Sequence, residues 1–208
     1  GPKYALLRPD FALLREQSLA RRKNFGGVGN LLISFGGVDK DNATGAALAE
    51  LQDSALPLHC TIRIIMGPSA PWRDAVREQA KGLPWNCEML VGVDNMARLM
   101  ADADLAIGAA GSTSWERCAL GVPMLIAVLA DNQREAAGAL IDAGAALPLQ
   151  LDGQGNDSLK QHLARIAANG SSMTDLSERG ATVCDGRGTE RVMRILFDES
   201  GLLGSVAS

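Results

Sequence analysis

An alternation constrains this chain more than any other feature. Short apolar runs, each ended by glycine, proline or small polar residues, are separated by segments of helical character. The runs at 31–35, 61–66, 87–91, 104–107, 123–129 and 145–149 read as strands. The segments at 42–51, 71–81, 95–101 and 132–143, and one ending at 120, read as helices between them. Asn42 is placed to cap the first helix, Pro71 to open the second and Gly144 to stop the last. Continuous apolar runs suit strands buried on both faces, as in a parallel sheet. Strands alternating with helices at this spacing imply βαβ units, and right-handed crossovers put helices on both faces. The expected fold is α/β: a Rossmann-like parallel six-stranded sheet with helices on both faces. Three more helices are predicted at 158–168, 172–184 and 189–198.

Aromatic residues make up only 4% of the 208, so such a core must rest on Leu, Ile, Val, Ala and Met. The formal charge of −4 gives no electrostatic case for nucleic acid. The one basic cluster, Arg21-Arg22-Lys23, is short and reads as a solvated linker. Four widely spaced cysteines without a CxxC pair, and only two histidines, leave no ligand set for zinc. No metal or cofactor is expected. Scattered cysteines in a chain of this length point to a reducing, cytoplasmic setting. No run of about 18 apolar residues offers a membrane span. The organisation expected is a leading segment at 1–29, an α/β core at 30–150, and helices at 151–208 that complete the same domain.

In an open parallel sheet, ligands bind beyond the carboxyl ends of the strands. Three loops stand out at that edge. Ser34-Phe35-Gly36-Gly37-Val38-Asp39 brings two glycines to a strand end, before a helix whose first N–H groups are expected to be free. A simple tight turn explains it equally well. Ile107-Gly108-Ala109-Ala110-Gly111-Ser112-Thr113-Ser114-Trp115-Glu116 sets small residues and hydroxyls at a helix start, with a carboxylate in the first turn able to accept from a ribose diol. A capping box accounts for the serine and the glutamate, but not for the small residues before them. Leu129-Ala130-Asp131-Asn132-Gln133 carries three polar side chains after an apolar strand, and a cap or a binding role fits it equally. His59 and His162 are poor catalytic candidates, the first at the wrong strand end and the second placed on a polar helix face.

These loops, taken in order with Gly121-Val122-Pro123, resemble the UDP-sugar hydrolase family of pseudaminic acid biosynthesis, which acts on UDP-2,4-diacetamido-2,4,6-trideoxy-β-L-altropyranose. Gly1-Pro2-Lys3-Tyr4-Ala5-Leu6-Leu7-Arg8-Pro9 resembles that family's interdomain linker. More broadly, the chain is similar to the carboxyl-terminal half of GT-B glycosyltransferases of the MurG kind. The resemblance implies a UDP-binding half-enzyme that releases UDP with inversion. Its general base, a histidine, is expected in an amino-terminal domain not contained here, so this chain alone is expected to be inactive. By the same resemblance, Gly36, Gly37, Gly111, Ser112, Thr113 and Ser114 would hold the diphosphate, Glu116 the ribose and Met96 the uracil. Asn132 would orient the sugar. Val38 stands where a small polar residue is expected. A glycosyltransferase with the same donor half, or a non-catalytic nucleotide-binding domain, remain as alternative functions. An NAD-binding Rossmann domain is disfavoured by the missing GxGxxG.

Overall fold

In the computed structural model, which describes residues 1–199, six parallel strands form one sheet in the order β3-β2-β1-β4-β5-β6. The strands are β1 (Asn30–Ser34), β2 (Thr61–Met66), β3 (Asn86–Val91), β4 (Leu105–Ala109), β5 (Met124–Ala127) and β6 (Leu147–Pro148). All five pairings are parallel, as the apolar runs predicted. The helices are α1 (Pro9–Arg21), α2 (Ala43–Leu51), α3 (Arg73–Lys81), α4 (Met96–Asp102), α5 (Thr113–Ala119), α6 (Arg134–Asp142), α7 (Leu159–Ala168), α8 (Ser171–Val183) and α9 (Gly188–Glu199). No described helix is long and apolar enough to cross a membrane.

Side-chain alternation along the strands divides the core in two. Leu31 and Ile33 face α2, α3 and α7 together with Ile62, Ile64, Leu105 and Ile107. Leu32 lies on the other face with Ala106, Met124 and Ile126, against Phe11 of α1 and residues of α4, α5 and α6. Burial of this kind contributes about 25 cal/mol per Å² of apolar surface, and it needs both faces covered. The connections change direction between β1 and β4, so the loops after these two strands diverge and leave a crevice at their carboxyl ends.

Three expectations fail here for physical reasons. Within 1–29, read as linker, Pro9–Arg21 forms a helix of 13 residues with Pro at its start and Phe11 fully buried. Arg22 is not solvated: it is 6% exposed and donates to the carbonyls of Met100, Ala101 and Ala103, closing the carboxyl end of α4. Its burial lowers its pKa to about 10. His162 does not lie on a polar face. It is 2% exposed, in the apolar stripe of Leu159, Leu163 and Ile166, and bonds the carbonyl of Pro148 at 2.7 Å. Desolvation lowers its pKa and favours the neutral ring. The last strand is also shorter than its apolar run. Pro148 has no N–H to extend pairing on this edge.

One carboxylate ties the loop before α7 to α2. Glu50 on α2 accepts from the N–H of Gly153 at 3.1 Å and of Leu159 at 2.8 Å, holding the loop before α7. Ser158 caps α7, accepting from the N–H of Gln161.

Candidate functional site

At the β1/β4 crevice a cleft of about 310 Å³ is lined by Ser34, Gly36, Gly37, Met66, Gly67, Met96, Thr113 and Glu116, with Arg8 at its side. Larger cavities lie elsewhere, among them one of about 700 Å³ between α1 and α9 and an apolar one of about 340 Å³ at the amino edge near Phe25. Neither lies at the carboxyl ends of the strands, where ligands bind in this kind of sheet.

Close loop packing shapes the cleft. Gly36 adopts φ +100, a conformation that side chains rarely take. A Cβ at Gly67 would meet the carbonyl oxygen of Gly37 at 1.9 Å, so the loops after β1 and β2 touch only because Gly67 has none. At Gly108, a Cβ would meet the Ser34 oxygen at 2.1 Å.

The helix starts differ from what the loops suggested. The N–H groups expected to be free at α2 are occupied. Asp39, 6% exposed, accepts from Ala43 at 2.8 Å and Thr44 at 3.0 Å, and Asn42 accepts from Gly45. An internal carboxylate thus fills the position that an anion would take, and Asp39 and Asn42 adopt positive φ to reach it. At α5 the Ser114 N–H donates to Gly111 O and the Trp115 N–H to Ser112 O. Ser112 makes no side-chain cap.

Gly36, Gly37, Met96, Thr113 and Glu116 therefore share one cleft. Gly111 and Ser112 lie just outside its lining, Ser112 exposed. Ser114 is buried, and its hydroxyl has no partner. Asn132 is exposed on a 3-10 turn after β5, where Asp131 pairs with Arg134 and Gln133 accepts from the Leu129 N–H. Val38 is 57% exposed.

Burial raises the pKa of Glu116, and the charges of Arg8 and Arg117 pull it back down. Sequence reasoning missed Arg8. Its guanidinium donates to the carbonyl of Asp94 at 2.7 Å and pairs with Asp10 at 3.2 Å, which holds a positive charge beside the cleft. The only signal was one arginine in a segment read as linker. The site thus offers a carboxylate in reach of solvent, a sulfur-bearing apolar wall at Met96, glycine backbone, one threonine hydroxyl and a cation. This set can hold a ribose, a flat base and an anion together.

Residues 43–183 match the glycosyltransferase family 28 C-terminal domain. The chain is 30% identical over 199 residues to the spore coat polysaccharide biosynthesis protein SpsG of Bacillus subtilis (strain 168), a match covering 95% of this chain and 57% of SpsG. It is similar in fold to Acinetobacter baumannii MurG, with a TM-score of 0.71 at 21% identity over 88% of this chain and 54% of that one. The spinosyn rhamnosyltransferase SpnG, solved with thymidine diphosphate, superposes with a TM-score of 0.58 at 18% identity, over 84% of this chain and 47% of that one. The chain thus spans little more than half the length of SpsG. These findings bear out the carboxyl-terminal GT-B architecture. They overturn the hydrolase expectation: the matched family is one of glycosyltransferases, which points to transfer rather than hydrolysis.

Proposed function

This chain belongs to the glycosyltransferase family 28 C-terminal domain family, and from that premise we propose that it is the donor-binding half of a glycosyltransferase using a UDP-sugar. One observation carries the reading. Glu116, Met96, Thr113 and the Gly36-Gly37 backbone, dispersed over 81 positions of sequence, line a single cleft at the point where the strand order reverses. The Glu116 carboxylate accepts hydrogen bonds from both ribose hydroxyls, and Met96 packs on the uracil face. The diphosphate lies along Gly36, Gly37 and Thr113, with Arg8 as its nearest exposed cation. Gly111 and Ser112 extend this surface toward the sugar, and Asn132 orients the sugar itself. As the anomeric C–O bond breaks, negative charge grows on the β-phosphate. Donors already fixed in place stabilise that charge without reorganising. The acceptor, and the base that activates it, would be supplied by an amino-terminal domain closing on the cleft.

Calorimetric titration of this chain with UDP, and with ADP as the control, tests the reading. UDP is expected to bind and ADP to bind far more weakly, and Glu116→Ala is expected to lose the UDP signal. Equal affinity for UDP and ADP, or undisturbed binding in Glu116→Ala, would remove the assignment.

A further inference from the structure

Behind the cleft wall lies a charge that the donor-site reading does not use. Arg117 is 1% exposed. Its Nη2 donates to the carbonyl of Ser34 at 3.2 Å and its Nη1 to that of Ala109 at 3.4 Å, while Nε has no partner. Among the described residues its hydrogen bonds reach only main-chain carbonyls and no carboxylate. The space for the guanidinium comes from a glycine in β4: a Cβ at Gly108 would sit 2.3 Å from Arg117 Nη2. Desolvation lowers the pKa only to about 10, so the group stays charged at neutral pH.

Ser34, which accepts from Arg117, is itself part of the cleft lining. A single residue therefore separates the buried cation from the ligand space. Two long bonds to neutral carbonyls compensate poorly for removing a guanidinium from water. Across a low-dielectric wall, an anion arriving in the cleft interacts with that charge far more strongly than through solvent. A neutral nucleoside gains from it only indirectly, through the Glu116 carboxylate whose ionised form Arg117 favours.

We propose that Arg117 is a positioning residue for the donor's diphosphate: a fixed counter-charge held between the ends of β1 and β4, acting across the cleft wall without touching the ligand. The proposal rests on the donor-site reading above. It makes the preference for a nucleoside diphosphate over its nucleoside a property of a residue outside the cleft.

The test is the ratio of UDP to uridine affinity in the wild type, Arg117→Met and Arg117→Lys, measured by calorimetry, with uridine read by competition where it binds weakly. Arg117→Met is expected to lose about tenfold in UDP affinity while uridine affinity moves less than about twofold. Arg117→Lys, which keeps the charge but not the fork, is expected to retain most of the UDP preference. It also carries the test if the methionine variant does not fold. An equal loss for both ligands would reduce Arg117 to a strut between two strands, and unchanged UDP binding in a folded variant would remove any role. Both outcomes overturn the counter-charge while leaving the donor site standing. Wild-type protein that binds neither ligand overturns the donor site itself, and the inference falls with it.

Discussion

The two edges of the sheet are built on opposite plans. At the amino edge the charged groups are largely matched, although Arg22 Nε has no partner among the described residues. Asp104 accepts from the N–H groups of Gly29 and Asn30 and from Arg21, and Arg22 closes the last turn of α4. At the carboxyl edge, Glu116 forms no ion pair among the described residues. Arg117 and Ser114 keep unpartnered buried atoms, and Val38, Val128 and Leu129 are exposed. The first edge holds the fold together, while the second leaves polar capacity unfilled. Binding sites lie at the low-stability end of a structure because a ligand must find groups that the protein has not satisfied itself.

This contrast predicts that stability and affinity separate by edge. The largest effect expected is on stability, from Arg22→Ala. It leaves the carboxyl end of α4 without its buried donors and should lower unfolding free energy by roughly 3 kcal/mol, read by urea denaturation. UDP affinity in the folded fraction should not change. A matching loss of affinity would mean that the two edges are not independent.

Glu116→Gln should do the reverse. Losing the charged acceptor of a ribose diol should weaken UDP by about tenfold to a hundredfold. The free protein should melt no lower than the wild type, and above the usual carboxylate range it should melt higher, because folding raises the pKa of Glu116. A raised folded pKa means that the group favours folding at low pH, and that this contribution is lost as pH rises through the folded value. Ligand binding runs the other way. UDP needs the carboxylate, so its affinity should fall as pH drops through that raised pKa, and this dependence should vanish in Glu116→Gln. Titrations across the window above the ordinary glutamate range check both signs. The smallest effect is expected from Val38→Ser, an exposed change that supplies a hydroxyl next to the cleft-lining Gly37. A gain of about threefold in UDP affinity with no shift in melting temperature would fit one added hydrogen bond.

Local signals made the architecture legible. The apolar runs, the Asn42 cap, Pro71 and Gly144 mark elements that the structure places within a few residues. Interactions across long stretches of sequence were not legible. The carbonyls that Arg22 meets at the end of α4 lie 78 to 81 positions away, so a basic triplet read as solvated conceals a buried cap. Asp39 looks like one more loop residue until its carboxylate is seen filling the start of α2. For α1 the signal was present, in a Pro start with Phe11 and Ser18 seven apart on one buried side, but the likeness to a linker outweighed it. His162 is similar, since its spacing to Leu159 and Ile166 already placed it on the apolar stripe. Two of the loops that line the cleft, after β1 and β4, stood out in the sequence for their glycines and small hydroxyl residues at strand ends, while the turns at Gly67 and Gly92 did not and the loop at 129–133 lies outside the lining. The activity was misread because the proposed donor-binding loops say nothing about whether water or an alcohol accepts the sugar.

Glu50 ties the start of α7 to α2 across an exposed loop whose Gly153 and Gly155 both take positive φ. Leu159, Leu163, Met173 and Leu176, all beyond that loop, are buried in the same core as Leu31 and Ile62. A cut between Gln154 and Gly155 would therefore break the chain without dividing the core. The two pieces, expressed separately, should reassemble into one domain, and the loop becomes the natural place to split this protein into complementing halves.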